Sequence, residues 1–260
     1  MIPKKIHYCW FGRGKMPDLA LRCIESWQKV LPAFEIIRWD EDSFDVTSNE
    51  YVREAYEARQ FAFVTDYVRL YAMYTQGGVY MDTDVEVLRP LDPYLECEAF
   101  SGFENVHSIP TGIMASEKGF AGFGDLLSSY KDRRFVMEDG SFDVTTNVEM
   151  ITDYYLKRGL VRDNTFQVVD GFTLYPNIVF CPYKHEIGSR WFRKETVTIH
   201  HKSGSWLTDE RRRLCDGSFA PLRLSFKRVM LNVLGKQAMD KILLARYRSA
   251  ERRQNKKAEF

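Results

Sequence analysis

Thr65-Asp66-Tyr67-Val68-Arg69, followed by Gly77-Gly78-Val79-Tyr80-Met81-Asp82-Thr83-Asp84, decides how this chain folds. Phe63, Val64, Tyr67, Val68, Leu70, Tyr71 and Tyr74 recur at a spacing that predicts a helix over 61–76. Gly77-Gly78 ends it, because glycine accepts the left-handed backbone that helix C-termini commonly take. Val79-Tyr80-Met81 then reads as a short apolar strand and Val85-Glu86-Val87-Leu88 as another, with the acidic 82–84 between them and Pro90 and Pro93 closing the unit. A helix feeding a strand through a glycine turn is a building block of α/β domains.

Upstream, Ile6-His7-Tyr8-Cys9-Trp10-Phe11 reads as a first strand closed by Gly12 and Gly14. Asp18 is placed to cap a helix over 19–31, whose Leu19, Cys23, Ile24, Trp27, Val30 and Leu31 share a face, and Pro32 ends it. Phe34 to Trp39 is a second strand, and 51–58 a further helix. Downstream, short strands are expected within 99–115 and near 166–169, 172–175 and 196–200, with a helix over 146–158. The last 40 residues carry Leu222, Leu224, Phe226, Val229, Met230, Val233 and Leu234, then Met239, Ile242, Leu243 and Leu244, in the pattern of amphipathic helix.

Two carboxylates one residue apart after a buried strand suit a hard divalent cation, which prefers oxygen ligands and keeps positions open for water or phosphate. With 18 Asp in 260 residues, about one Asp-x-Asp is expected by chance, and the chain has a second, Asp40-Glu41-Asp42, which reads as an exposed turn after strand two. The context of Asp82 and Asp84 sets them apart. Asp66 and Arg69, three apart on the preceding helix, share a face, and charges on so apolar a helix are rarely buried without a partner.

Thr65-Asp66-Tyr67-Val68-Arg69 with Gly77-Gly78-Val79-Tyr80-Met81-Asp82-Thr83-Asp84 closely resembles the D-x-x-R…G-G-x-Y-x-D-x-D core of the family-32 glycosyltransferases, the sugar-binding region containing the DXD motif. Pro3 to Gly12 resembles the family's opening P-K-x-I-H-x-x-W-x-G, and Thr198-Ile199-His200-His201-Lys202-Ser203-Gly204-Ser205-Trp206 its closing H-x-x-x-S-W. The resemblance spans about 1–207 and implies a GT-A fold, α/β with a Rossmann-like half and a mixed central sheet; residues 208–260 lie mostly outside it and read as a basic amphipathic helical extension.

It further implies a metal-dependent, retaining transfer of a hexose from a nucleotide sugar, a UDP-sugar by preference and GDP-mannose as the alternative. Trp10 would stack on the base, or else belong to the core. Asp66 and Arg69 would contact the donor sugar, and Arg69 the diphosphate as well. Tyr80 would line the pocket or simply pack. Asp82 would face the ribose, sugar or metal, and Asp84 would ligate the metal, Mn²⁺ or Mg²⁺. His201 is the candidate third ligand, with His200 as its alternative, because neighbours on a strand point to opposite faces. Ser205 and Trp206 would close over the diphosphate. Asn147 would touch donor or acceptor, or cap a helix. The implied acceptor is a glycan or lipid-linked oligosaccharide in bacterial surface polysaccharide assembly. A protein-glycosylating effector and a non-catalytic sugar-nucleotide-binding module are the rival readings.

Composition bounds these readings. Hydrophobic residues are 45% and charged residues 28%, which excludes a disordered or fibrous chain. No apolar run approaches bilayer-spanning length. A net charge of +1 argues against nucleic acid as partner. Residues 208–260 nonetheless hold 14 Lys/Arg against 6 Asp/Glu, a net +8, leaving −7 for 1–207. Such a basic amphipathic stretch suits an anionic membrane surface, or else a helix packed on the domain with a solvated basic face. Five widely spaced cysteines without a C-x-x-C pair, and an N-terminus without an apolar signal core, point to reduced thiols and a cytoplasmic protein, which the membrane reading of 208–260 would make peripheral on the inner membrane face. His7, His107 and His185 show no partner pattern and read as structural. The absence of a G-x-G-x-x-G, a P-loop or a G-x-S-x-G disfavours dinucleotide enzymes, ATPases and esterases.

Overall fold

The computed structural model describes residues 1–203 and 220–258. The expected boundary near 207, together with Ser205, Trp206 and Cys215, lies outside them. The chain runs β1 (Lys5–Cys9), α1 (Asp18–Val30), β2 (Glu35–Trp39), α2 (Glu50–Glu57), α3 (Phe61–Gln76), β3 (Gly78–Met81), β4 (Val85–Val87), β5 (Ala99–Gly102) and β6 (Ile113–Ser116). It continues with α4 (Ala121–Ser128), α5 (Asn147–Leu156), β7 (Gln167–Val169), β8 (Phe172–Tyr175), α6 (Asn177–Phe180), α7 (Arg190–Glu195) and β9 (Thr198–His200). Two C-terminal helices follow, α8 (Ala220–Leu234) and α9 (Lys236–Ala258).

Seven strands form one sheet in the order β2-β1-β3-β6-β5-β8-β7, and β4 pairs with β9 in a separate two-stranded sheet. β1 lies parallel to β2 and β3, and β5 parallel to β8; the β3–β6, β5–β6 and β7–β8 pairings are antiparallel. The sheet is therefore mixed, as expected from the sequence. Alternation along each strand supplies two apolar layers. Val79 and Met81 of β3, with Ile113 and Ala115 of β6, face a core shared with Trp27 of α1, with Leu31 just after it, and with α6. Tyr80 and Met114, from the same strands, face the other core, built on α2, α3, α4 and α5.

Gly77 caps α3 with φ 67°, and a Cβ there would lie 2.5 Å from the Lys118 backbone nitrogen. At Gly78, with φ 108°, a Cβ would lie 2.8 Å from the Lys5 carbonyl oxygen, so β3 can lie beside β1 only with glycines at this turn. Asp18 does not cap α1: the capping position is Pro17, which makes no side-chain bond, and Asp18 is the first helical residue, where its charge faces the positive end of the helix dipole. Strand one stops at Cys9, although the Trp10 amide still donates to the Trp39 carbonyl at 2.9 Å. His7 is fully buried and satisfied at both nitrogens: Trp39 Nε1 donates to its Nδ1 (3.1 Å) and its Nε2 donates to the Gly77 carbonyl (2.9 Å). Burial pulls its pKa down to about 4. It is a neutral core group that ties β1 to β2 and to the α3–β3 turn.

The C-terminal stretch is helical as expected, in two pieces broken at Gly235 (φ 82°). Leu231 and Met239 are buried. Asp240 accepts from Asn164 Nδ2 (3.0 Å) and from Lys236 Nζ (2.8 Å), and Asn164 also bonds Asn177. Cys9, Cys23, Cys97 and Cys181 are free thiols.

Candidate functional site

Residue 69 brings a guanidinium almost wholly inside the protein, 5% exposed. Its Nη2 lies 3.4 Å from Asp66 Oδ1 and 3.4 Å from Asp82 Oδ1. Nη1 donates to the Thr111 carbonyl at 3.1 Å, and the group stacks 4.8 Å from the centre of the Tyr80 ring. Burial opposes its charge, but Tyr80, Asp82 and Asp66 outweigh that and keep it protonated. One cation thus links α3, the loop after β3 and the loop before β6.

Asp66 is held from its other side by α5. The Asn147 amide donates to Asp66 Oδ2 (3.1 Å), and Asn147 Nδ2 donates to the Asp66 carbonyl (2.6 Å). Asn147 Oδ1 accepts from Tyr130 OH at 2.7 Å. Asn147 is therefore fully buried and engaged within the protein. The cap of α5 is Thr146, in a reciprocal capping box with Glu149. Burial raises the Asp66 pKa, against the pull of Arg69 and the Asn147 amide.

The acidic loop is fixed by its backbone. The Asp82 amide donates to the Gly112 carbonyl (2.8 Å) and the Val85 amide to the Asp82 carbonyl (3.0 Å). Tyr80 OH, from β3, donates to Asp82 Oδ1 at 2.8 Å. β4 then pairs antiparallel with β9 in the register Val85↔His200, Glu86↔Ile199, Val87↔Thr198. That register decides between the two histidines. His200 points at the acid pair, its Nε2 3.3 Å from Asp84 Oδ1 and 3.9 Å from Asp82 Oδ2. His201, the expected third ligand, instead meets Glu86 Oε2 at 2.9 Å. Its amide donates to the Asp84 carbonyl (3.0 Å), so the chain beyond β9 stays tied to the loop.

Asp82, Asp84 and His200 form the one group of three or more such side chains, among the described residues, whose ligand atoms lie within 4.8 Å of one another. Two carboxylates and one imidazole are a donor set that can hold a divalent cation. Burial would raise the Asp84 pKa, but His200 and the Ser203 amide, which donates to Oδ2 at 2.7 Å, hold it well below the usual carboxylate range. Burial likewise opposes charge on His200, but Asp84 and Cys181 prevail and push its pKa upward. By contrast, the Asp40–Asp42 turn is committed to arginines: Arg38 to Asp40 at 2.8 Å and Arg13 to Asp42 at 2.6 Å.

Trp10 is half-buried just beyond β1, with Nε1 donating to the Gly14 carbonyl at 2.7 Å. Four contributors carry no sequence signature: the Thr111 and Gly112 carbonyls, the Ser203 amide, and Cys181, whose Sγ lies 3.9 Å from His200 Nδ1. Three of them act through backbone atoms, which residue identity does not reveal.

Residues 17–101 match the family model described as the glycosyltransferase sugar-binding region containing DXD motif. Over 124 residues the chain is 30% identical to inositol phosphoceramide mannosyltransferase 3 of Schizosaccharomyces pombe (strain 972 / ATCC 24843). That stretch covers 46% of this chain and 33% of the relative, so the chain spans about a third of the relative's length. Similar solved structures include PaToxG glycosyltransferase, with TM-score 0.43 and 13% identity over 60% of this chain and 68% of that one. The galactosyltransferase LgtC, solved with donor and acceptor sugar analogs, has TM-score 0.42 and 14% identity over 85% of this chain and 94% of that one.

Arg69 gives the most direct test of this site's construction. Arg69→Met leaves Asp66 and Asp82 facing each other without their shared cation. Breaking a buried pair by removing one partner costs about 3–5 kcal/mol. Urea unfolding of Arg69→Met is expected to show a loss of that size, and a loss well under 1 kcal/mol would contradict the geometry.

Proposed function

We propose that this chain, whose residues 17–101 match the family model of the DXD-containing sugar-binding region, is a GT-A glycosyltransferase that moves a hexose from a nucleotide sugar to a glycan or lipid-linked acceptor, with retention of anomeric configuration. The observation that carries this reading is the convergence of Asp82, Asp84 and His200 beside the Arg69-braced Asp66. When bound, Mn²⁺ or Mg²⁺ held by these three side chains would supply positive charge for the departing nucleoside diphosphate.

The chain's own residues divide the remaining work. Asp66 and Asp82 offer carboxylate oxygens that can accept from sugar hydroxyls, and Arg69 keeps both in place. Tyr80 orients Asp82 through its hydroxyl. Trp10, at the open end of the sheet where α/β folds place ligands, offers a ring for stacking on the base. Ser205 and Trp206 would close over the diphosphate and exclude water, which would otherwise compete with the acceptor.

The favoured donor is a UDP-sugar, and the favoured setting bacterial surface polysaccharide assembly. A second reading, GDP-mannose, draws on the relative that is named a mannosyltransferase. A protein-modifying effector would share the same site and differ only in acceptor. Thermal unfolding with UDP or GDP, each with and without Mn²⁺, separates the donors. A Mn²⁺-dependent rise with UDP alone is expected; a rise with GDP alone would move the donor to mannose. No rise with either would favour a chain that binds no nucleotide sugar. Asp84→Asn is expected to abolish metal-dependent release of nucleoside diphosphate, and unchanged turnover would overturn the site.

The acceptor side of the reading rests on α8 and α9. Val229, Val233, Leu234 and Ile242 are exposed there, alongside exposed Arg228, Lys241, Arg246 and Arg248. Apolar and basic side chains together suit an anionic lipid surface that presents a lipid-linked acceptor. No helix of the described residues is long and apolar enough to cross a membrane. The chain is expected to sediment with vesicles containing anionic lipid and to be released by high salt. Equal binding to neutral vesicles, or none to either, would reduce these helices to packing elements.

A further inference from the structure

Gly112 belongs to none of the motifs, yet it sits against the site's histidine. It is buried in the loop before β6, and its φ lies outside the left-handed region. Conformational freedom is therefore not what the position demands. Space is. A Cβ built on Gly112 would lie 2.5 Å from His200 Nδ1, 2.7 Å from Cε1 and 3.1 Å from Cγ, distances at which the ring or the loop must give way. The loop cannot yield freely, because the Gly112 carbonyl accepts from the Asp82 amide and the neighbouring Thr111 carbonyl from Arg69. On the same edge of the ring, Cys181 Sγ stands 3.9 Å from Nδ1. The opposite atom, Nε2, faces Asp84 and Asp82.

We propose that Gly112 is a positioning residue for His200: its missing side chain is the slot that lets the imidazole lie against the loop with Nε2 turned to the acid pair. Gly112 thereby sets two parts of the cluster, the Asp82 backbone through its carbonyl and the His200 ring through its lack of a Cβ. Outer contacts of this kind commonly alter metal affinity 10–100-fold. The consequence for metal rests on the function proposed above, whereas the packing claim does not.

A double-mutant cycle in the full chain tests both parts separately. Gly112→Ala is expected to lower the melting temperature of the parent clearly, and to lower that of His200→Ala hardly at all, because the ring it strikes is then gone. An equal loss in both backgrounds would show that the added methyl strikes something else and would overturn the proposal. Should Gly112→Ala alone fail to fold, a folded Gly112→Ala/His200→Ala chain supports the slot, and an unfolded one refutes it. Mn²⁺ binding, followed by the loss of the free-ion EPR signal, is expected to weaken at least tenfold in Gly112→Ala, towards the level of His200→Ala. Unchanged affinity in Gly112→Ala would overturn the proposal. If the parent itself binds no Mn²⁺ while the thermal coupling persists, the metal reading fails and the positioning role stands.

Discussion

A guanidinium withdrawn from water must find charge and hydrogen-bond acceptors inside the protein, or the fold cannot keep it. Arg69 meets that requirement with three segments of chain: Asp66 on its own helix, Asp82 in the loop after β3, and the Thr111 carbonyl before β6. Tyr80 adds an aromatic face and a hydroxyl that reaches the same Asp82 oxygen. None of these contacts is exceptional alone. Together they fix α3 relative to the acidic loop, so the carboxylates arrive already oriented, and a site of this kind depends on such preorganisation. Asn147 extends the arrangement to α5, whose first turn binds the far side of Asp66.

The second element is the short β4–β9 pairing. It brings a residue from late in the chain beside Asp84, and its register settles which of two adjacent histidines enters the site. His200 opposite Val85 faces inward, while His201 reaches Glu86. The loop before β6 completes the enclosure: its carbonyls hold Arg69 and the Asp82 amide, and Gly112 leaves room for the His200 ring. The cluster is thus walled by α3, β3, the β3–β4 loop, the loop before β6 and β9, five segments distributed along most of the described chain.

Much of this was legible in the sequence where a physical signal is local. The helix over 61–76 and the strands on either side of Asp82–Asp84 follow from periodicity and glycine punctuation, and Asp66, Arg69, Asp82 and Asp84 stand out as charges in apolar surroundings. The short helices were not legible. Ala121–Ser128 contains two glycines and lies on α3, while Asn177–Phe180 and Arg190–Glu195 are too brief to show a period. Their formation depends on tertiary contact. The choice between His200 and His201 was not legible either, because alternation gives two faces and only the pairing register says which one points inward. Thr111 and Ser203 contribute backbone atoms, and Gly112 contributes an absence, so residue type carries no trace of their roles.

In the proposed function these segments converge on a single cation site beside a bound nucleoside diphosphate. Crystals grown with Mn²⁺ and UDP, measured on both sides of the manganese absorption edge, test it without recourse to activity. One anomalous peak is expected within bonding distance of Asp82, Asp84 and His200, with the diphosphate against it. A peak that instead involves His201 and Glu86, or nucleotide bound with no peak near the acid pair, would contradict it.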